Sequence, residues 1–129
     1  MSSEYKTTPK HFALFKKHVE LWLDHFGLKD WETIISHETP GDCKDGTVMG
    51  ACLADLASRG AYIHLCLEWN QKITDELIKG TAFHETCELL LSELDILAKT
   101  REIHPYQLDS ARHAIIARLY NSIAAEKYR

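Results

Sequence analysis

At 129 residues, 45% hydrophobic and 26% charged, the chain is sized for one globular domain (residues 1–129) with a substantial core. A formal net charge of −4 argues against a nucleic-acid partner held by broad phosphate neutralisation. The sequence has no run of 18 apolar residues and no apolar segment near residues 1–6, so neither a membrane span nor a secretory signal is expected, and a cytoplasmic location follows.

Residues 1–8 are polar and expected to be flexible. From 9 to 26 the pattern is helical: Phe12, Phe15, Val19, Trp22, Leu23 and Phe26 recur at three- and four-residue steps. Thr8 is a natural cap, Pro9 suits the first helical position, and Gly27 a stop. His11, His18 and His25 repeat every seven residues and so share a face, as residues edging that apolar face or as a second metal stripe. Residues 31–36 have strand character, and 38–47 form a turn-rich loop. Two apolar runs follow, 48–56 and 60–67. In the second, Ala61, Ile63, Leu65 and Leu67 alternate with Tyr62, His64 and Cys66, as in a strand packed on one face. His64 then either points outward or lines a cleft. These runs predict a small three-stranded, mostly antiparallel sheet.

A long helix is expected over 74–99, capped by Thr74, with Leu77, Ile78, Phe83, Cys87, Leu90, Leu94 and Leu97 on its apolar face. Pro105 interrupts the chain. A last helix spans 108–125, with Leu108, Ala111, Ile115, Ile116, Leu119 and Ile123 inward. The fold class is α+β. None of Cys43, Cys52, Cys66 and Cys87 forms a C-x-x-C pair; Cys52, Cys66 and Cys87 read as small buried hydrophobes.

Residues 84–88, His-Glu-Thr-Cys-Glu, carry the chemistry. They match the zinc-hydrolase signature H-E-x-x-H with the second His replaced by Glu. Positions four apart share a helix face, so His84 and Glu88 can share one metal ion, with Glu85 beside a metal-bound water. Catalytic zinc sites usually take three protein ligands. The candidate third is His113. The helix descends ~17 Å from Glu88 to Lys99 and returns ~9 Å from Gln107 to His113 at about 1.5 Å per residue, leaving ~8 Å for residues 100–106 to climb. His113 shares a face with Ile116 and Tyr120, beside the buried stripe. In such a site Zn2+ would acidify its water and polarise a carbonyl, and Glu85 would be the general base. Arg112 and Tyr120, flanking His113, are read as ordinary packing or ion-pair groups with a possible second use at a developing oxyanion.

Four segments carry a family resemblance: LKDWETII after the first helix, RGAYIHL on the third strand, AFHETCELLL on the long helix and RHAIIARLYN on the last. With them the chain resembles the zincin-like metallopeptidases found among small phage and prophage proteins, over nearly its whole length. The resemblance implies an N-terminal helix, a short sheet, an active-site helix and a C-terminal helix. It implies Glu85 as the base and a metal at His84, at Glu88 where the family has His, and at His113 where it has Glu. Three functions follow as alternatives. The first is a zinc-dependent peptidase or amide hydrolase acting on a peptide or protein. The second is a non-catalytic binding or regulatory protein on a degenerate zincin-like scaffold, phage-encoded and acting on a protein of its bacterial host. The third is a structural metal joining the two C-terminal helices. Substrate specificity and oligomeric state are not legible.

Overall fold

A computed structural model describes residues 5–39 and 48–125. The elements in chain order are β1 (Tyr5–Lys6), α1 (Pro9–His25), β2 (Glu32–His37), β3 (Gly50–Asp55), β4 (Gly60–Leu65), β5 (Glu68–Trp69), α2 (Asp75–Ala98) and α3 (Pro105–Leu119), with a wide helical turn over Tyr120–Ala124. The fold is a single small α+β domain. Among the described residues no helix is long and apolar enough to cross a membrane.

α1 begins and ends as its sequence dictates. The Thr8 hydroxyl accepts from the His11 amide at 3.2 Å, and the Thr8 amide donates to His11 Nδ1 at 3.0 Å, so two otherwise orphaned amides are satisfied. Gly27, at φ 67°, takes the left-handed conformation that ends the helix without a Cβ penalty. Phe15 and Val19 are fully buried.

The three-stranded sheet runs in the order β2–β4–β3. It is mixed rather than mostly antiparallel: β3 and β4 form an antiparallel hairpin, while β2 lies parallel to β4. Ala61, Ile63 and Leu65 of β4 face the helices and are buried, but the alternation does not carry on: His64 and Cys66 are buried as well, and Leu67, expected inward, is 41% exposed. Ala61, Ile63 and Leu65 share one core with Phe15 and Val19 of α1 and with Ile78, Ala82 and Leu89 of α2. The opposite sheet face is partly exposed. Ile34, Tyr62 and Leu53 stand in one cross-strand row on it, each about half exposed.

Residues 5–8 are not loose. β1 pairs with β5, the Thr7 amide donates to the Leu67 carbonyl at 2.9 Å, and the Thr7 hydroxyl donates to the Cys66 carbonyl at 2.8 Å. The expectation of flexibility at residues 1–4, and most of the turn-rich loop with Cys43, lie outside the described residues. At the other end, Pro105 starts α3 instead of interrupting the chain. His104 caps the helix by accepting from the Tyr106 amide at 3.1 Å, and proline in the first turn forfeits no hydrogen bond. Arg118 anchors α3 to the α1–β2 turn through the Gly27 carbonyl and the Asp30 carboxylate.

Candidate functional site

α2 is crowded on several sides, and this decides what its polar residues do. Trp22 of α1 meets Phe83 edge-on at 4.9 Å, while β3 lies across another face. The buried positions are Ile78, Thr81, Ala82, Glu85, Thr86, Leu89, Leu90 and Ser92. Only part of the expected apolar face is therefore inward; Leu77 and Phe83 are each about 40% exposed. Small hydroxyl residues take the inner places because their groups bond back to the helix. Thr81, Thr86 and Ser92 donate to the carbonyls of Leu77, Ala82 and Leu89.

Glu85 sits in that inner row and is 7% exposed. Its carboxyl makes no hydrogen bond among the described residues, in contrast to the neighbouring hydroxyls. Burial pushes its pKa up from 4.5 to about 7; the neighbouring His84 opposes the rise and the Glu88 carboxylate adds to it. A carboxyl tuned to neutrality inside a cleft is suited to giving and taking protons.

The cleft in front of Glu85 holds about 370 Å³ and runs between Val48, Met49 and Gly50 on one side and Leu77, Thr81 and His84 on the other. Gly50 makes the close approach possible. A Cβ there would lie 2.8 Å from Thr81 Cγ2, 3.0 Å from the His64 carbonyl oxygen and 3.1 Å from Glu85 Cγ. A second cleft of about 270 Å³ continues the same seam past Cys52, Leu53, Glu88 and Asp95. Burial, with added repulsion from Glu85 and Glu88, raises the Cys52 thiol to about 12, so at neutral pH it is a neutral thiol and not a nucleophile. A larger concavity of about 650 Å³ lies over the opposite sheet face, where Ile34, Leu53 and Tyr62 line it away from Glu85.

His84 and Glu88 do share a face, with Nε2 3.3 Å from Oε1 and both side chains largely exposed. His113 does not join them. Its Nδ1 lies 2.8 Å from the Asp109 carbonyl oxygen on its own helix, and the side chain is exposed. Among the described residues no group of three or more His, Cys, Asp or Glu side chains is gathered closely enough to hold a metal ion. The cause is the face of α3 that turns inward. Ala111 and Ile115 are buried, while Ile116 and Ile123, expected inside, are more than half exposed. His113 is two residues from each buried position, about 200° around the helix. Arg112 is engaged by Asp109 at 2.5 Å, and neither it nor Tyr120 lines the cleft.

His64 is neither outward nor in the cleft. It is 4% exposed on the sheet face away from α2, its Nδ1 2.5 Å from the Ser36 hydroxyl and 3.4 Å from Glu38 Oε1. Only its backbone carbonyl reaches the site, beneath Gly50.

The residues that complete the cleft, Val48, Met49 and Gly50, drew no functional reading from the sequence. The usable signal was Gly50 itself, since a glycine opening an apolar strand marks close backbone approach.

Set against protein-family models, curated proteins and solved structures, the chain matches none.

Proposed function

We propose that this chain is a hydrolase of amide or peptide bonds on a zincin-like scaffold, with Glu85 as its general base. The observation that carries the reading is Glu85: a residue nine-tenths buried whose carboxyl makes no hydrogen bond among the described residues and faces a cleft beneath the edge strand β3. Buried polar groups are almost always paired, so one held open in a cleft is better suited to an incoming molecule than to the fold. A water seated there would give a proton to the Glu85 carboxylate as its oxygen bonds to the carbonyl carbon of a scissile amide, and the carbon–nitrogen bond would then break. The protonated carboxyl could then return that proton to the leaving nitrogen.

The fit to zinc is partial. His84 and Glu88 would hold a divalent cation by two donors, and bound Zn2+ would polarise a carbonyl and acidify water. A three-ligand site of His84, Glu88 and His113 does not fit this geometry. That same shortfall favours the second reading, a non-catalytic binding or regulatory protein using the same cleft.

The test is cleavage of a broad library of end-capped peptides by the full chain, with and without added zinc, alongside zinc titrations. Cleavage abolished in Glu85→Gln is expected, with zinc affinity lost in His84→Ala and Glu88→Ala and unchanged in His113→Ala. No cleavage under either condition would leave the binding-protein reading standing. Zinc affinity lost in His113→Ala would restore the three-ligand site.

A further inference from the structure

β2 forms the edge of the sheet that lies away from the Glu85 cleft. It is held by a single parallel ladder to β4, the weaker kind per residue. In that ladder Glu32 stands opposite Gly60, and its amide donates to the Arg59 carbonyl at 2.8 Å. The backbone groups of Glu32, Ile34 and Ser36 therefore turn to β4, and those of Thr33 and Ile35 turn outward. Among the described residues no backbone bond from Thr33 or Ile35 reaches another element. A free edge is a template for another strand, and β2 carries no lysine, proline or bulge to blunt it.

Both faces of the sheet are also unfinished along this edge. On the outer face Ile34 is 54% exposed. On the helix side, where Ile35 reaches the core and His37 stacks on Phe12, a cavity of about 350 Å³ opens beside Thr33. Its walls are Leu23, Leu28 and Trp31. Its exposed charges, Glu20 and Lys29, are of opposite sign, so they present no net charge to repel a like surface.

A second β2, antiparallel about a two-fold axis, satisfies these groups together when Ile34 faces the partner's Ile34. Thr33 and the partner's Ile35 then exchange both backbone hydrogen bonds, and symmetry repeats the pair. The two Ile34 side chains meet on the outer face at the closer, non-hydrogen-bonded spacing. They carry the row of Leu53, Tyr62 and Ile34 across the axis. On the helix side the partner's Ile35 stands beside Thr33, at the mouth of the apolar cavity. Glu32 falls opposite the partner's Ser36. The register with Ile35 facing the partner's Ile35 is worse on both counts. It sets Glu32 against the partner's Glu38, and like charges directly opposite are destabilising. It also offers the cavity the partner's His37 in place of an aliphatic side chain.

We infer that the free edge of β2 binds a second copy of this chain, the two β2 strands antiparallel with Ile34 on the two-fold axis, so that the sheets of both copies become one. The Glu85 clefts then lie along the two outer edges and stay open. The pairing does not depend on the hydrolase reading.

The test is sedimentation velocity of the full chain over a micromolar to submillimolar series, with amide hydrogen exchange measured at both ends of it. A concentration-dependent dimer is expected, with exchange at Thr33 and Ile35 slowed as it forms. Ile34→Lys and Ile34→Glu replace a half-exposed side chain and should keep the wild-type circular dichroism spectrum. Each should weaken self-association by about tenfold or more, and mixing the two variants should restore pairing. Under mild oxidation Ile34→Cys should form a disulfide-linked dimer beyond any seen for wild type, and Ser36→Cys should not. Four results would each overturn the assignment: a monomer at every concentration; Thr33 and Ile35 amides already protected in the dilute chain; a dimer that leaves those amides unprotected; or lysine and glutamate variants that pair with themselves as well as with each other.

Discussion

Glu85→Gln is expected to make the protein more stable and less active, with both effects tied to one pKa. The carboxyl titrates near 4.5 when unfolded and at about 7 in the fold, because burial penalises its charged form. Below pH 4.5 it is protonated in both states and costs the fold nothing. Between 4.5 and 7 the unfolded chain ionises while the folded one does not, and stability falls as pH rises. Above 7 the loss is complete, at about 3 kcal/mol for a shift of this size. Glutamine is close in shape to the protonated acid and never ionises. In chelator-treated protein, the variant should therefore melt about 10 °C above wild type at pH 9 and level with it at pH 4. Peptide hydrolysis should fall by about 10²- to 10⁴-fold, and the rise in wild-type rate with pH through about 7 should vanish. An unchanged melting difference from pH 4 to pH 9 would show that Glu85 is not held in a desolvating site. A rate retained in Glu85→Gln would remove it as the base.

What the sequence made legible was whatever chemistry within a few residues decides. α1 could be read nearly to the residue because Thr8, Pro9 and Gly27 act locally. The first half of β4 could be read because alternation needs only one buried face; beyond Ile63 it fails, because His64 and Cys66 are covered too. The adjacency of His84 and Glu88 follows from helical period alone. Three features were not legible, and each depends on which element arrives where. The parallel pairing of β2 with β4 joins strands that have β3 between them in the chain. The inward face of α2 is taken by Thr81, Thr86 and Ser92, whose hydroxyls the helix's own carbonyls satisfy, so an apolar-stripe reading passes over them. The rotation of α3 leaves Ile116 and Ile123 exposed and carries His113 away with them. Composition along the helix does not distinguish that rotation from its alternatives, because apolar residues occur on both sides of it. The placement of Glu85 was half legible: its side of the helix could be inferred, but its burial depends on the nearness of β3.

That nearness rests on a missing side chain. Gly50→Ala places a methyl group against Thr81 Cγ2, the His64 carbonyl oxygen and Glu85 Cγ, all within 3.1 Å of the new atom. The carbonyl belongs to the central strand and cannot withdraw, so β3 must lift from α2 or Thr81 and Glu85 must shift. Overpacking of this kind costs about 1–3 kcal/mol. Chemical denaturation should show a lower midpoint with little change in slope, and Gly50→Val should be worse still. The cleft should open as well. With β3 displaced, water reaches Glu85, and the rise of its pKa to about 7 should relax toward 4.5, flattening the pH dependence of stability derived above. The closest clash, at 2.8 Å, is with the Thr81 methyl group and not its hydroxyl, which is bonded to Leu77. Thr81→Ser removes that methyl and keeps the hydrogen bond, so the Gly50→Ala/Thr81→Ser pair should recover part of the loss. A coupling of about 0.5 kcal/mol or more in the double-mutant cycle is the expected signature of direct contact. Strict additivity, or an alanine at position 50 accepted without measurable cost, would mean that β3 and α2 do not meet as closely as the seam requires. Glu85 would then lack the strand that covers it.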